Sequence, residues 1–131
     1  MKAVFPDFGS LGPADLDLSA LHQTLPGIRL FASSTPGEAR ERIAGCEILI
    51  VNKVRLDRQL LTASPALRLV CLAATGSDNI DLQAARELGI TVCNIRNYCT
   101  ASVVQHVFGM LLNLNLRLDE YRRLLADGAW Q

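Results

Sequence analysis

Apolar residues follow two rhythms along this chain, and the rhythm assigns elements before any motif is consulted. Short apolar runs without polar alternation cover residues 2–5, 28–31, 47–51, 67–72 and 90–93. Such runs, rich in β-branched residues, are the pattern of strands covered on both faces in a parallel sheet. Between them the apolar positions recur at helical spacing. Leu16, Leu18, Leu21 and Leu25 mark a short amphipathic helix closed by Pro26-Gly27. Thr35-Pro36-Gly37-Glu38 predicts a helix start: Thr35 is the N-cap, Pro36 takes the first helical position, and Glu38 completes a capping box. That helix stops at Gly45. Residues 57–61 predict another short helix. Asp81 caps a further one running through Leu88, with Gly89 at its C-terminal stop.

From Thr100 onward the pattern predicts one long helix. At 100° per residue, Val103, Val107, Met110, Leu111, Leu114, Leu118 and Tyr121 fall along one stripe. Val104, Phe108, Leu112 and Leu116 form a second stripe beside it. Together they cover on the order of 200° of the circumference, against ~100° for an ordinary surface helix. One sheet face cannot bury both stripes, so this helix wants a second apolar neighbour, either another subunit or a further domain. Strands alternating with helices predict an α/β fold. The economical form is a flavodoxin-like, doubly wound parallel five-stranded sheet over residues 1–99, with the long helix after it.

Composition narrows the class of protein. The 131 residues are one domain, or one domain with an appendage, and half of them are hydrophobic. Formal net charge is zero, which argues against nucleic-acid and polyanion binding. The most apolar segment, 103–118, is interrupted by Gln105, His106, Asn113, Asn115 and Arg117, so it predicts no membrane span. The stretch before Pro6 is too short for a signal peptide. Cys46, Cys71, Cys93 and Cys99 show no C-x-x-C spacing. They predict buried free thiols of a reducing cytoplasm and no metal site.

Candidate chemistry sits at the carboxyl ends of the strands, where open parallel sheets place their ligands. The run 67–72 ends in Thr75-Gly76-Ser77, a small loop expected to open directly into a helix. Its backbone N–H groups suit a small carboxylate; a tight turn needing glycine is the plainer alternative. Asn52-Lys53 ends the third strand on the same edge, and Lys53 offers positive charge. A phosphoacceptor receiver domain would want an aspartate here. Gly9-Ser10-Leu11-Gly12 reads as a turn, since its glycines match neither the dinucleotide nor the Walker fingerprint that a nucleotide would need. Neither His106 nor His22 has an obvious orienting carboxylate.

Ala74-Thr75-Gly76-Ser77-Asp78-Asn79-Ile80-Asp81, Ala84-Ala85 and Gly89-Ile90-Thr91-Val92-Cys93-Asn94 resemble the substrate-domain core of the D-isomer-specific 2-hydroxyacid dehydrogenases. The stretch Tyr98-Cys99-Thr100-Ala101-Ser102-Val103-Val104-Gln105-His106 resembles the start of that family's interdomain helix. Asn52-Lys53-Val54 and Phe8-Gly9-Ser10-Leu11-Gly12 point to its glycerate dehydrogenase (hydroxypyruvate reductase) branch. The resemblance implies a two-domain enzyme that reduces a 2-keto acid by hydride transfer from NAD or NADP. The loop matching Thr75, Gly76 and Ser77 would hold the substrate carboxylate, and Asn52 and Lys53 would line the substrate mouth. Val103 would touch the nicotinamide side of the cofactor. Gln105 stands where the family commonly has glutamate, and is expected to complete a capping box with Ser102.

The family's cofactor fingerprint and catalytic side chains match nothing in this sequence, so residues 100–131 would be the interdomain helix and the start of an absent cofactor domain. The 131-residue chain alone is expected to be inactive, with no catalytic residue of its own. A cytoplasmic homodimer, possible through the 100–126 helix, is the expected assembly. A freestanding non-catalytic module that binds a small acid or a partner is the alternative reading.

Overall fold

The computed structural model describes residues 1–129, in two compact units that divide after Arg96. In the first unit β1 (Ala3–Phe5), β2 (Arg29–Leu30), β3 (Ile48–Val51), β4 (Leu69–Leu72) and β5 (Thr91–Asn94) form one sheet, all neighbours parallel. Their order is β2-β1-β3-β4-β5. The chain winds outward from β1 in one direction and from β3 in the other, so the direction reverses between them. Side-chain ends of neighbouring loops diverge there, which is where this architecture opens a cleft.

The helices of this unit are α1 (Ser19–Thr24), α2 (Pro36–Ile43), α3 (Arg58–Thr62) and α4 (Leu82–Glu87). Three of them share one face. Ile43 of α2, Leu60 and Leu61 of α3, and Ala84 and Ala85 of α4 pack with Val4, Leu49, Val51, Val70 and Leu72 of the strands. The other face carries α1 alone, whose Leu21 joins Leu25, Ala3, Ile48 and Ile50. Within this unit, the helices therefore do not cover every strand on both faces. All of β1 is buried, β3 and β4 alternate between half-buried and buried, and β5 is mostly exposed. A single six-residue helix reaches only the β2, β1 and β3 side of its face.

Local signals behave as expected where they are complete. Thr35 caps α2, its hydroxyl accepting from the Glu38 N–H, while the Glu38 carboxylate accepts from the Thr35 N–H at 2.8 Å. The Thr35 N–H and then its hydroxyl, both donating to that carboxylate, hold the Glu38 carboxyl below its ordinary value. This contribution is complete above the usual glutamate range and is lost as pH falls through the lowered folded value. Thr35→Ala is expected to cost about 1 kcal/mol of stability, measured by urea denaturation near neutral pH. Asp57 and Asp81 cap α3 and α4, each accepting from the N–H three residues on. Gly45 and Gly89, both at φ 70°, turn the chain out of α2 and α4.

The second unit holds α5 (Thr100–Leu116) and α6 (Leu118–Ala126). One continuous helix was expected, but Arg117 adopts a left-handed conformation (φ 52°, ψ 42°) and separates the two. Leu118 and Tyr121 therefore belong to a different helix from the rest of their stripe. The cap also differs from expectation. Cys99 is the N-cap of α5, and the Ser102 hydroxyl donates to the Cys99 carbonyl, so Ser102 and Gln105 form no capping box. Neither helix buries a residue, and the apolar side chains of α5 run up to 71% exposed at Leu114. No helix among the described residues is long and apolar enough to cross a membrane.

Candidate functional site

The loops at the carboxyl ends of β1, β3 and β4 are tied together by buried and part-buried polar bonds, and the knot is Asp7. Its carboxylate is 5% exposed. It accepts from the backbone N–H groups of Asn52 (3.1 Å), Lys53 and Val54 (2.9 Å). A buried carboxylate is tolerable only when hydrogen bonds replace its lost water, and three donors from one turn do so here. Asn52 is nearly as buried. Its side-chain amide donates to the Ser10 hydroxyl (2.8 Å), which in turn donates to the Asp7 carbonyl. Asn79 then links this turn to the next loop, its amide donating to the carbonyls of Val54 (3.0 Å) and Asn52 (3.3 Å). Leu56 and Ile80 close the join as a parallel bridge.

Thr75, Gly76 and Ser77 lie in that next loop. They do not open directly into a helix, because α4 begins only at Leu82. Their donors are thus not helix N-terminal groups. The carbonyls of this loop are used within the fold. Thr75 accepts from the Asn94 amide (2.8 Å), Ala74 from the Ile95 N–H, and Ser77 from the Ile80 N–H. The N–H groups of Gly76 and Ser77, by contrast, have no acceptor among the described residues. The loop is thus held through the carbonyls of Ala74, Thr75 and Ser77, while the Gly76 and Ser77 N–H groups stay free of protein acceptors among the described residues. The exposed Asp78 carboxylate stands nearby, with Oδ2 3.4 Å from where a Gly76 Cβ would lie.

Lys53 lines an open cleft of about 470 Å³ with Asp7, Gly9, Ser10, Ala32 and Ser33. The cleft lies at the direction reversal between β1 and β3, and its one cation is Lys53. Gly9 does not cradle a phosphate there, since its N–H is taken by the Ala32 carbonyl at 3.0 Å. Val103 lies on α5 in the second unit and is exposed. His22 and His106 are both exposed. Among the described residues no group of three or more His, Cys, Asp or Glu side chains is arranged to hold a metal ion.

Asp7 carries no local signal in the sequence, because its partners lie 45 to 47 residues away. The four cysteines are free, but only Cys46 is fully buried; Cys93 is exposed and the others are intermediate. Burial pushes the Cys46 thiol up to about 11. Brief treatment with a thiol alkylator is expected to label Cys93 first and to leave Cys46 unmodified until the protein is denatured, as peptide mass spectrometry would read.

Comparisons with known proteins agree on one family. Residues 11–118 match the family described as D-isomer specific 2-hydroxyacid dehydrogenase, catalytic domain. The chain is 42% identical to a glycerate dehydrogenase of Methylorubrum extorquens over 98% of its own length and 40% of that protein. It is 33% identical to a hydroxypyruvate reductase of Blautia hydrogenotrophica, over 100% of the chain and 41% of the relative. The chain thus spans about two fifths of the length of these curated relatives. Its fold is that of an acyclic imino acid reductase solved with NADPH and D-Arg (TM-score 0.83, 21% identity, 98% of this chain and 41% of that one). It is also that of a D-lactate dehydrogenase of Aquifex aeolicus solved with NAD and lactic acid (TM-score 0.77, 22% identity, 98% and 38%). With a parallel five-stranded sheet and a family match over most of its length, this chain belongs to the D-isomer specific 2-hydroxyacid dehydrogenases.

Proposed function

We propose that residues 1–99 are the substrate-binding domain of an NAD(P)-dependent dehydrogenase that reduces a small 2-keto acid, of the hydroxypyruvate or glyoxylate kind, to a D-2-hydroxy acid. The observation that carries this is the pair of free N–H groups at Gly76 and Ser77, on a loop whose carbonyls are already engaged. Charge-assisted bonds from such donors are the strong kind, and they fix one end of the substrate. Thr75 shapes the loop through its bond from Asn94. Asn52 and Lys53 shape the substrate mouth, the buried Asn52 by tying its turn to Asp7, Ser10 and Asn79 and Lys53 by bringing to the cleft an ammonium that balances the Asp7 charge. Val103 faces the nicotinamide side of the cofactor. NAD or NADP supplies the hydride when bound; this chain's part is to bind and orient the keto acid. The helices from residue 100 lead toward a cofactor-binding domain of the parent protein, and the 131-residue chain alone does not turn over.

The test is kinetic, on the parent protein extended beyond Gln131. Gly76→Ala keeps the N–H and meets only ordinary contact, so KM for hydroxypyruvate stays within about twofold. Gly76→Pro removes that donor, and loss of one charge-assisted bond raises KM roughly tenfold or more. An unchanged KM in Gly76→Pro contradicts the assignment. A stop codon after Gln131 removes the catalytic reading for this protein.

The free thiols suit a reducing cytoplasm. The exposed apolar sides of α5 favour a homodimer. Sedimentation of the chain is expected to show self-association, and a monomer at all concentrations contradicts it.

A further inference from the structure

We propose that the N–H groups of Asn52, Lys53 and Val54 form an anion-binding nest that the chain fills with its own Asp7 carboxylate. Asp7 thereby restricts the site to 2-keto acids whose far end carries no phosphate. Three successive backbone donors converging on one anion are the arrangement with which loops cradle phosphate groups. Here the nest is complete and shut. The Asp7 carboxylate takes all three donors, and both Asp7 and Asn52 are buried. The second part of the inference rests on the substrate reading given above.

With the substrate carboxylate on Gly76 and Ser77, its far end is free to enter the adjoining cleft lined by Asp7, Ser10, Ser33 and Lys53. A hydroxymethyl group asks little there: one donor or acceptor, which Ser10 or Ser33 supplies. A phosphate dianion asks for several donors and for positive charge. The three backbone donors are spent, and the Asp7 charge offsets that of Lys53, leaving the cleft about neutral. Failure to replace the hydration of the wrong ligand, rather than added attraction for the right one, is then what separates the two classes. Asp7 acts as a specificity-determining residue without touching the reacting carbon. Relatives of this chain include both glycerate dehydrogenases and D-3-phosphoglycerate dehydrogenases, so the distinction is a real choice within the family.

Two experiments test this, both on the chain as it stands. In the first, D-glycerate and 3-phospho-D-glycerate are titrated separately and binding is followed at the Gly76 and Ser77 amides by NMR. The expected result is at least roughly tenfold weaker binding of the phosphorylated acid, equivalent to about 1.4 kcal/mol. Equal or tighter binding overturns the proposal. In the second, Asp7→Ala empties the nest, and formate or inorganic phosphate is added. Either anion is expected to raise the melting temperature of the variant more than that of the wild type, and to shift the Lys53 and Val54 amides in the variant alone. No rescue overturns the nest. If the variant does not fold without formate, the wild-type titration decides. Should neither acid bind the wild type, the substrate reading and the phosphate restriction that rests on it both fall, while the formate rescue still judges the nest.

Discussion

Replacing Asp7 with alanine is expected to cost about 3 kcal/mol of folding stability, the largest single effect foreseen in this domain. The reasoning follows the donors rather than the acid. Alanine leaves the N–H groups of Asn52, Lys53 and Val54 facing the space the carboxylate filled. A buried orphan donor costs roughly 1–3 kcal/mol, and only the Asn52 bond is fully buried; those of Lys53 and Val54 are part-buried, and water entering from the adjoining cleft relieves part of the sum. In a unit of this size, such a loss lowers the melting temperature by more than about 10 °C. Asp7→Asn falls between, because one amide oxygen still accepts while the NH₂ group meets a donor. Thermal unfolding of the three proteins at neutral pH gives the order. A loss below about 1 kcal/mol in the alanine variant would show that the strand-end turn holds itself.

Gly9→Ala is expected to cost about 2 kcal/mol, by collision rather than by lost bonds. A Cβ on Gly9 would lie 2.5 Å from the Ala32 carbonyl oxygen and 3.1 Å from its carbon. The obstacle is backbone, so no side chain can swing aside. Relief requires parting the two chains joined by Gly9 N–H to Ala32 and Phe8 N–H to Phe31 (2.8 Å). Those chains are two walls of the cleft that holds Lys53. Gly12→Ala is the control. Its site is open, and its φ of 64° alone sets the cost, at about 1 kcal/mol. Equal losses in the two variants, measured by urea denaturation, would mean that close approach is not what Gly9 is there for.

These two residues mark where the sequence stops being legible. Elements defined by neighbours in the chain were readable: the Thr35 and Glu38 cap of α2, the Asp81 cap of α4, and all five strands to within two residues of their ends. The strand-end loops were readable as candidates because parallel sheets put ligands there. Asp7 was not, since its three partners come from a turn some 45 residues later and nothing local distinguishes it from a turn aspartate. The uneven cover of the sheet was hidden too. Leu69 and Cys71 look like core residues in sequence, yet α1 does not extend over β4 and they are only half-buried. The apolar period also ran through Arg117 without interruption, and with no glycine or proline there it gave no sign of the break between α5 and α6.

The most direct measurement is a crystal structure of this chain with D-glycerate. The account predicts the ligand carboxylate within about 3 Å of the Gly76 and Ser77 nitrogens, as charge-assisted bonds require, with its hydroxymethyl end toward Lys53. Asp7 stays bound to the Asn52–Val54 turn. A carboxylate seated elsewhere, with the Gly76 and Ser77 N–H groups still unbound, would contradict the account at its centre.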